Sequence, residues 1–429
     1  MAISDVLVRL ATGRTAAPGA PGDTGGDRPP RWSRAFTLNA LSGGCSKLAE
    51  QLASPDVVLT SLLVALGASS GFVGALEPFR RGFATLPQLL LAPWLRRATN
   101  RSRVWAGAAL GQAAVWAVLA VATSFVTGAS AGLSVLLAVA VFSVLSGAAS
   151  AVFSDVTGAT VDRSVRGRLM SLRSGLGGLA TVLFSIYLIV GPGRSGDPAL
   201  YVALLAAAAG LWLGAAVLFG LIGDRSGPAT GDAAPLQTIR RGLGALRQES
   251  WFAAFSATRA LLTAIEIVIP YLTLLTHQRA GAVNLGLLIL TVGVAQIVGS
   301  PIWGRVSDLR SPGAALSAAG IVGVAGIAVA IAADLGSAGA VWPYLLALLL
   351  AGLAREGVRT GRKTYLVNAA PSQDRSLYTA TSNSLTGVLL LLTALLGPLA
   401  QATSALVVLY LLASAAGVGS AVALRLPRR

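Results

Sequence analysis

The sequence predicts an all-α membrane protein whose twelve transmembrane helices form two pseudo-symmetric six-helix bundles. Three observations predict it: too little charge for a water-facing surface, apolar runs of membrane length, and a repeat between the two halves. Charged residues are only 12% of the 429, against 54% hydrophobic, and the mean hydropathy is +0.72. A soluble chain of this size needs about 25% charged residues to cover itself. Most of this surface therefore does not face water. Apolar runs such as Trp105–Ser124, Leu133–Phe153, Tyr201–Ile222 and Ala314–Ala333 are each long enough to cross the hydrocarbon core as a helix. Their abundant Gly and Ala suit close helix packing in lipid.

The first six spans are predicted at Phe36–Leu66, Ser70–Leu95, Val104–Ser124, Leu133–Ser154, Leu169–Val190 and Ala199–Ile222. The second six are predicted at Trp251–Thr276, Val283–Val306, Gly313–Ala333, Val341–Val367, Leu377–Leu399 and Ser404–Leu424. The first is long for one crossing and carries Pro55, which predicts a kink. These spans divide the chain into an N-terminal bundle (36–222) and a C-terminal bundle (251–424). Residues 1–35 lack a hydrophobic signal core and are Pro/Gly/Asp-rich over Thr15–Pro30, as expected of a disordered cytoplasmic tail. Residues 425–429 form a short cytoplasmic end.

The net charge of +16 is a topology signal. Arg9, Arg14, Arg28, Arg31 and Arg34 lie in the tail, and Arg96, Arg97, Arg101 and Arg103 in the second connection. Arg163, Arg166 and Arg168 lie in the fourth, while the opposite loops hold only Arg194 and Arg279. The positive-inside rule then puts both termini in the cytoplasm, and near-exclusive use of Arg over Lys, with only Lys47 and Lys363, suggests a GC-rich bacterial source and so the inner membrane. No nucleic-acid partner is needed to explain the charge. The connection 223–250 places Leu236, Ile239, Leu243 and Leu246 on one helical face, with Arg240, Arg241 and Arg247 elsewhere. It reads either as a helix lying on the anionic inner leaflet or as a flexible linker.

The halves correspond at a fixed offset. Arg166–Gly178 and Arg375–Gly387 lie 209 residues apart, share few identities, and each opens a helix after a basic loop. At the same offset Pro93-Trp94-Leu95-Arg96 faces Ile302-Trp303-Gly304-Arg305. Duplicated six-helix halves are one plan of secondary transporters.

Ionisable groups cost about 3 kcal/mol or more at the bilayer centre, so they face a cavity or a partner. Spans 3, 6, 9 and 12 are free of charge, and spans 1, 2, 7 and 10 carry nearly all of it. Span 1 aligns Asn39, Ser42, Ser46 and Glu50, with Lys47 beside Glu50; span 4 aligns Ser143, Ser146, Ser150 and Ser154. Span 7 aligns Arg259, Thr263 and Glu266. Span 10 sets Arg355, Arg359 and Arg362 on one face, with Glu356 three residues before Arg359. A polar stripe on spans 1, 4, 7 and 10 predicts a central wet path. Span 2 adds a cluster of Glu77, Arg80 and Arg81. The pairs Glu77–Arg80, Lys47–Glu50 and Glu356–Arg359 read equally as packing pairs. Glu50, Glu266 and Arg259 have fewer neutralising neighbours in sequence and are the stronger functional candidates. Lone Cys45 and lone His277 read as packing and interfacial residues, so no disulfide, metal or cofactor is expected. No nucleophile constellation and no phosphate-binding GxxxxGK[ST] loop is present, which argues against an enzyme and against an ATP-driven pump.

Between spans 8 and 9 runs Gly304-Arg305-Val306-Ser307-Asp308-Leu309-Arg310. It resembles the cytoplasmic signature of the major facilitator superfamily, Gly-x-x-x-Asp-Arg-x-Gly-Arg-Arg. Gly304 and Asp308 match, whereas Leu309 replaces a base and Ser311 replaces a Gly. The first-half loop Leu95–Arg101 keeps the bases but lacks both Gly and Asp. The resemblance covers Phe36 to Leu424 and implies alternating access of two bundles. It also implies that Asp308, with Arg305 and Arg310 nearby, joins a charge relay that locks the cytoplasmic side, for instance by accepting amides at a helix N-terminus. The Gly-Pro-rich fifth-helix motif of drug/proton antiporters is not matched by Ser174–Gly178.

The function expected is secondary transport of a small solute by a monomer in the bilayer, with coupling to protons. Glu50 and Glu266 are the expected proton or cation groups; Lys47, Arg259, Arg355 and Arg359, with Glu356, are the expected substrate contacts. Mid-membrane bases outnumber acids, which favours a substrate bearing a carboxylate or phosphate. Efflux of cationic amphiphiles, or a sensor or scaffold without transport, are the alternatives.

Overall fold

The computed structural model describes residues 31–191, 193, 197–223, 235–281, 283–336, 340–371 and 374–427. The expected tail up to residue 30 and the linker stretch 224–234 lie outside the described residues. Helix α1 runs Arg31–Leu52, turns through a single π-helical turn at Pro55–Leu59, and continues as Thr60–Ala65. There follow α2 (Ser70–Arg97), α3 (Arg101–Ala122), α4 (Gly128–Thr160), α5 (Arg166–Val190) and α6 (Pro198–Gly220). The linker forms a helix over Pro235–Gln248. The second half comprises α7 (Ser250–Ala280), α8 (Leu285–Leu309), α9 (Pro312–Leu335) and α10 (Trp342–Ala369). It ends with α11 (Arg375–Thr393, continued by Leu396–Ala402) and α12 (Ala405–Leu424).

Local chemistry sets these boundaries. Asn100 accepts from the Arg103 amide at 3.1 Å to start α3, and Asp197 accepts from Ala199 at 2.9 Å ahead of Pro198 to start α6. Ser311 accepts from Ala314 at 3.1 Å, with Pro312 in the first turn of α9. The turn from α1 into α2 needs Gly67 at φ 68°, where a side chain would be strained. Pro55 lacks an amide proton, and the widened π turn after it shifts the register of the last stretch of α1.

Helix α1 starts five residues before the expected Phe36, and α4 extends past both expected ends. Helices α5 and α11 open at Arg166 and Arg375, the offset of the sequence repeat. Ten of the twelve long helices have an apolar window of membrane length. The other two, α2 and α10, fall short because they carry Glu77, Arg80, Arg81 and Arg355, Glu356, Arg359, Arg362, Lys363. The protein is a multi-pass membrane protein.

Packing repeats between the halves. Helix α2 packs on α4 as α8 packs on α10, α3 on α4 and α6 as α9 on α10 and α12, and α1 on α6 as α7 on α12. The halves meet along two exchanged seams, α2 with α11 and α5 with α8, and where the end of α1 meets α7. Large apolar side chains stay exposed on α3 (Val118, Val121), α6 (Leu213, Val217) and α12 (Leu411, Val418), where acyl chains would cover them. Exposed apolar side chains on α5 (Leu179, Leu183), α8 (Ile297, Val298) and α11 (Val388, Leu392) show that the lipid face is not confined to the uncharged helices.

Candidate functional site

A cavity of about 310 Å³ lies between the halves at mid-depth. Helix α1 supplies Lys47, Glu50, Gln51 and Asp56, and α2 supplies Glu77, Arg80 and Arg81. Helix α7 supplies Glu266, α8 Gln296, and α10 Arg355, Glu356, Arg359 and Arg362. Trp116 of α3 and Phe142 of α4 form an aromatic wall. The wet helices are thus 1, 2, 7, 8 and 10.

The expected serine stripe of α4 does not line this cavity. Ser143 turns back to the Val139 carbonyl at 2.6 Å, and Ser150 and Ser154 are exposed. A helical serine satisfies its hydroxyl on its own preceding turn, so it need not mark water. The α1 stripe is likewise mostly consumed by packing. Asn39 donates to Thr157 at 3.3 Å, Ser42 to the Ala215 carbonyl at 3.0 Å, and Ser46 to the Gly43 carbonyl at 3.1 Å. Only Glu50 of that stripe reaches the cavity.

The charges form bridges that sequence spacing could only partly foresee. Lys47 pairs with Glu50 at 2.9 Å, and Glu356 with Arg359 at 3.5 Å. Glu77 bonds Arg81, four residues on, and not Arg80. Arg80 instead faces Glu50 at 3.8 Å and lies over the Phe142 ring, 5.0 Å from its centroid. Glu266 receives Arg81 at 2.9 Å and Arg362 at 3.5 Å. Glu50 and Glu266 were expected to have fewer neutralising neighbours than the other acids; both also meet bases from other helices, Arg80 for Glu50 and Arg81 with Arg362 for Glu266. Two bonds tie the halves at this depth: Arg81 of α2 to Glu266 of α7, and Asp56 of α1 to Arg355 of α10. Gln51 adds a third, to Gln296 at 3.2 Å.

Asp56 and Arg362 were not among the expected site residues. Asp56 follows Pro55 in a segment read as a kinked extension; an acid inside an apolar stretch is the signal that could have found it. Arg259 is buried but outside the cavity lining, donating to Ser382 at 2.6 Å and to Asn383 at 2.9 Å on α11. In the first half Arg173 of α5 mirrors it, donating to the backbone carbonyl of Asn39 on α1 at 2.7 Å.

Gly304, Arg305 and Asp308 occupy the last turns of α8, and Arg310 is its C-cap. Arg305, Asp308 and Arg310 are exposed. The cap of α9 is Ser311, so the amide-accepting role expected of Asp308 is filled by its neighbour. The twelve helices alternate in direction, so α1 begins and α12 ends on one side; on the opposite, far side the halves are stitched together. Ser61 Oγ lies 2.8 Å from His277 Nε2, Ser69 donates to Gln401 at 3.1 Å, and Asn284 donates to the Ile189 carbonyl at 3.3 Å. His277, expected as an ordinary interfacial residue, is part of this seal. The linker helix packs on α11 and α7, with Leu246 half-buried and Leu243 exposed.

No family model and no curated relative matches the chain. Among solved structures it is similar to a point mutant of the nucleoside transporter NupG, with a TM-score of 0.70 and 13% identity over 91% of this chain and 99% of that one. It is also similar to the POT family transporter PepTSo, with a TM-score of 0.69 and 11% identity over 92% of this chain and 98% of that one. A POT family transporter in complex with 5-aminolevulinic acid gives a TM-score of 0.68 at 11% identity, covering 91% and 96% of the two chains. Identities this low speak to architecture alone. Six helices facing six across a charged central cavity, with seams that exchange α2–α11 for α5–α8, are the fold this chain shares with those solved transporters.

Proposed function

We propose that this protein is a secondary active transporter that moves a small solute bearing a carboxylate or phosphate across the cytoplasmic membrane by alternating access. One observation carries the anionic reading: within the cavity the bases stand in front and most acids behind. The side chains of Arg359 and Lys47 are 53% and 48% exposed, whereas those of Glu266 and Glu77 are 4% and 5% exposed. Arg359 and Lys47 contact the solute first, with Arg355 and Arg362 deeper on the same face of α10. Arg259 keeps α7 on α11 and acts on the site through the helix that bears Glu266. The solved structures above, described as nucleoside and POT family transporters, support a transport role. The termini lie in the cytoplasm, as the arginine distribution indicates, so the sealed far side is external and the cavity is poised toward the cell interior. Protons are the coupling ion, and the working unit is a monomer. Asp308, Arg305 and Arg310 engage as a cytoplasmic latch only in the opposite conformation, which accords with their exposure here.

A thermal-shift panel of carboxylates, phosphate esters and cationic amphiphiles on the purified protein tests the reading. A ligand at about 100 times its Kd stabilises by roughly 2.7 kcal/mol. At least one anion is expected to raise the melting temperature, and Arg359→Ala with Lys47→Ala to weaken that shift. Stabilisation by cations alone would replace anion transport with efflux of cationic compounds.

A further inference from the structure

Followed from end to end, the buried charges make one chain of contacts. Arg362 meets Glu266, Glu266 meets Arg81, Arg81 meets Glu77, and Arg355 meets Asp56. Base and acid alternate along it until the link between its two parts. There the carboxyl of Asp56 stands within hydrogen-bonding reach of the carboxyl of Glu77. Both side chains are buried, with residue exposures of 7% and 4%, and Oδ1 of Asp56 has no donor among the described residues. Ionised carboxylates only accept hydrogen bonds, so two of them in contact require a proton between them.

We propose that Asp56 and Glu77 share a single proton and form the site where this transporter takes up and releases protons. The inference rests on the transport reading and moves the proton from Glu50 and Glu266, whose bridges are to bases alone, to a pair in which each acid is bridged to a base and also faces the other acid. Charged groups facing the pair are Arg81 from α2, Glu266 from α7 through Arg81, and Arg355 from α10; α8 contributes the neutral Gln296. Both acids border the cavity, so water in it can deliver and remove the proton. Six bases and five acids line the cavity, and one shared proton leaves six positive against four negative charges. Proton and anion thus favour each other's binding. A proton moving onto Asp56 also weakens its hold on Arg355, the bond joining α1 of one half to α10 of the other.

Infrared spectroscopy of the full-length protein in lipid, titrated with acid and base in H₂O and D₂O, reads the proton directly. A protonated-carboxyl C=O band that shifts in D₂O is expected near neutral pH. It should be lost in Glu77→Gln and in Asp56→Asn, since each amide donates to the remaining acid, and be kept in Glu50→Gln and Glu266→Gln. Circular dichroism and melting curves confirm that each variant is folded, and either dyad variant suffices. Absence of the band in the unaltered protein, its survival in a folded dyad variant, or its loss in Glu50→Gln would overturn the proposal. The band is independent of any solute, so a panel that finds no anion would sink the substrate class and leave this result standing.

Discussion

Replacing Arg81 with alanine is expected to abolish solute flux and to lower the melting temperature more than any other single truncation in the cavity. Arg81 is the base shared by two acids on different helices, bonding Glu77 on its own helix and Glu266 on α7 at 2.9 Å. Both acids are almost entirely buried, and Arg81 is itself only about a quarter exposed, at 26%. Breaking a buried ion pair from one side costs about 3–5 kcal/mol, because a charge is left without a partner. Water in the cavity can soften that cost toward its lower end. Glu266 keeps Arg362, so the uncompensated charge falls chiefly on Glu77. Adding Glu77→Gln to Arg81→Ala should therefore recover part of the lost stability while leaving flux at zero. Lysine at 81 should rescue poorly, since an ammonium lacks the fork that reaches two carboxylates at once. Melting curves in detergent and flux in proteoliposomes decide it. An Arg81→Ala protein that melts like the parent would remove the charge chain from the centre of the structure.

The second large effect is expected at Gly397. Helices α2 and α11 touch backbone to backbone on the far side. A Cβ on Gly397 would lie 3.1 Å from the carbonyl carbon and 3.3 Å from the Cα of Gly71, and one on Gly74 would lie 2.6 Å from the Cα of Gly397. Backbone cannot swing aside as a side chain can. Gly397→Val should therefore oppose closure of the far side and leave the opposite conformation unharmed. Overpacking of this kind costs about 1–3 kcal/mol, which is roughly five- to 150-fold in the ratio of closed to open forms. With Cys45 replaced by Ser and a reporter cysteine at Ser69, labelling by a membrane-impermeant maleimide should accelerate by about that factor. Unchanged labelling in a folded Gly397→Val protein would mean that the α2–α11 contact does not set the equilibrium.

Much of the architecture was legible in the sequence because bilayer physics leaves few choices. Apolar length gave the spans, and the two helices that fail a strict apolarity test were still recognisable, since their charges cluster at i, i+3 and i+4 between apolar flanks. The repeat was visible at helix starts, where Arg166 and Arg375 follow basic loops. The site was legible only one helix at a time. Spacing grouped Arg355, Arg359 and Arg362 on one face of α10, and all three line the cavity, but on α2 it paired Glu77 with Arg80 where the structure chooses Arg81. That choice depends on Glu50 and Phe142 drawing Arg80 away. The Glu266–Arg81 and Asp56–Arg355 bonds join residues 185 and 299 positions apart, and no local pattern encodes them. The serines of α4 misled for the opposite reason: a polar side chain can be satisfied within its own helix.

Two lobes that rock about a charged cavity are the central claim, and a distance across the far-side seal tests it most directly. With Cys45 replaced by Ser, spin labels at Ser69 and Gln401 can be read by double electron–electron resonance in lipid nanodiscs. Two populations are expected, a short one matching the hydrogen-bonded seal and a longer one, with their ratio changing with pH. A single short distance, unmoved by pH or by Gly397→Val, would contradict alternating access in this protein.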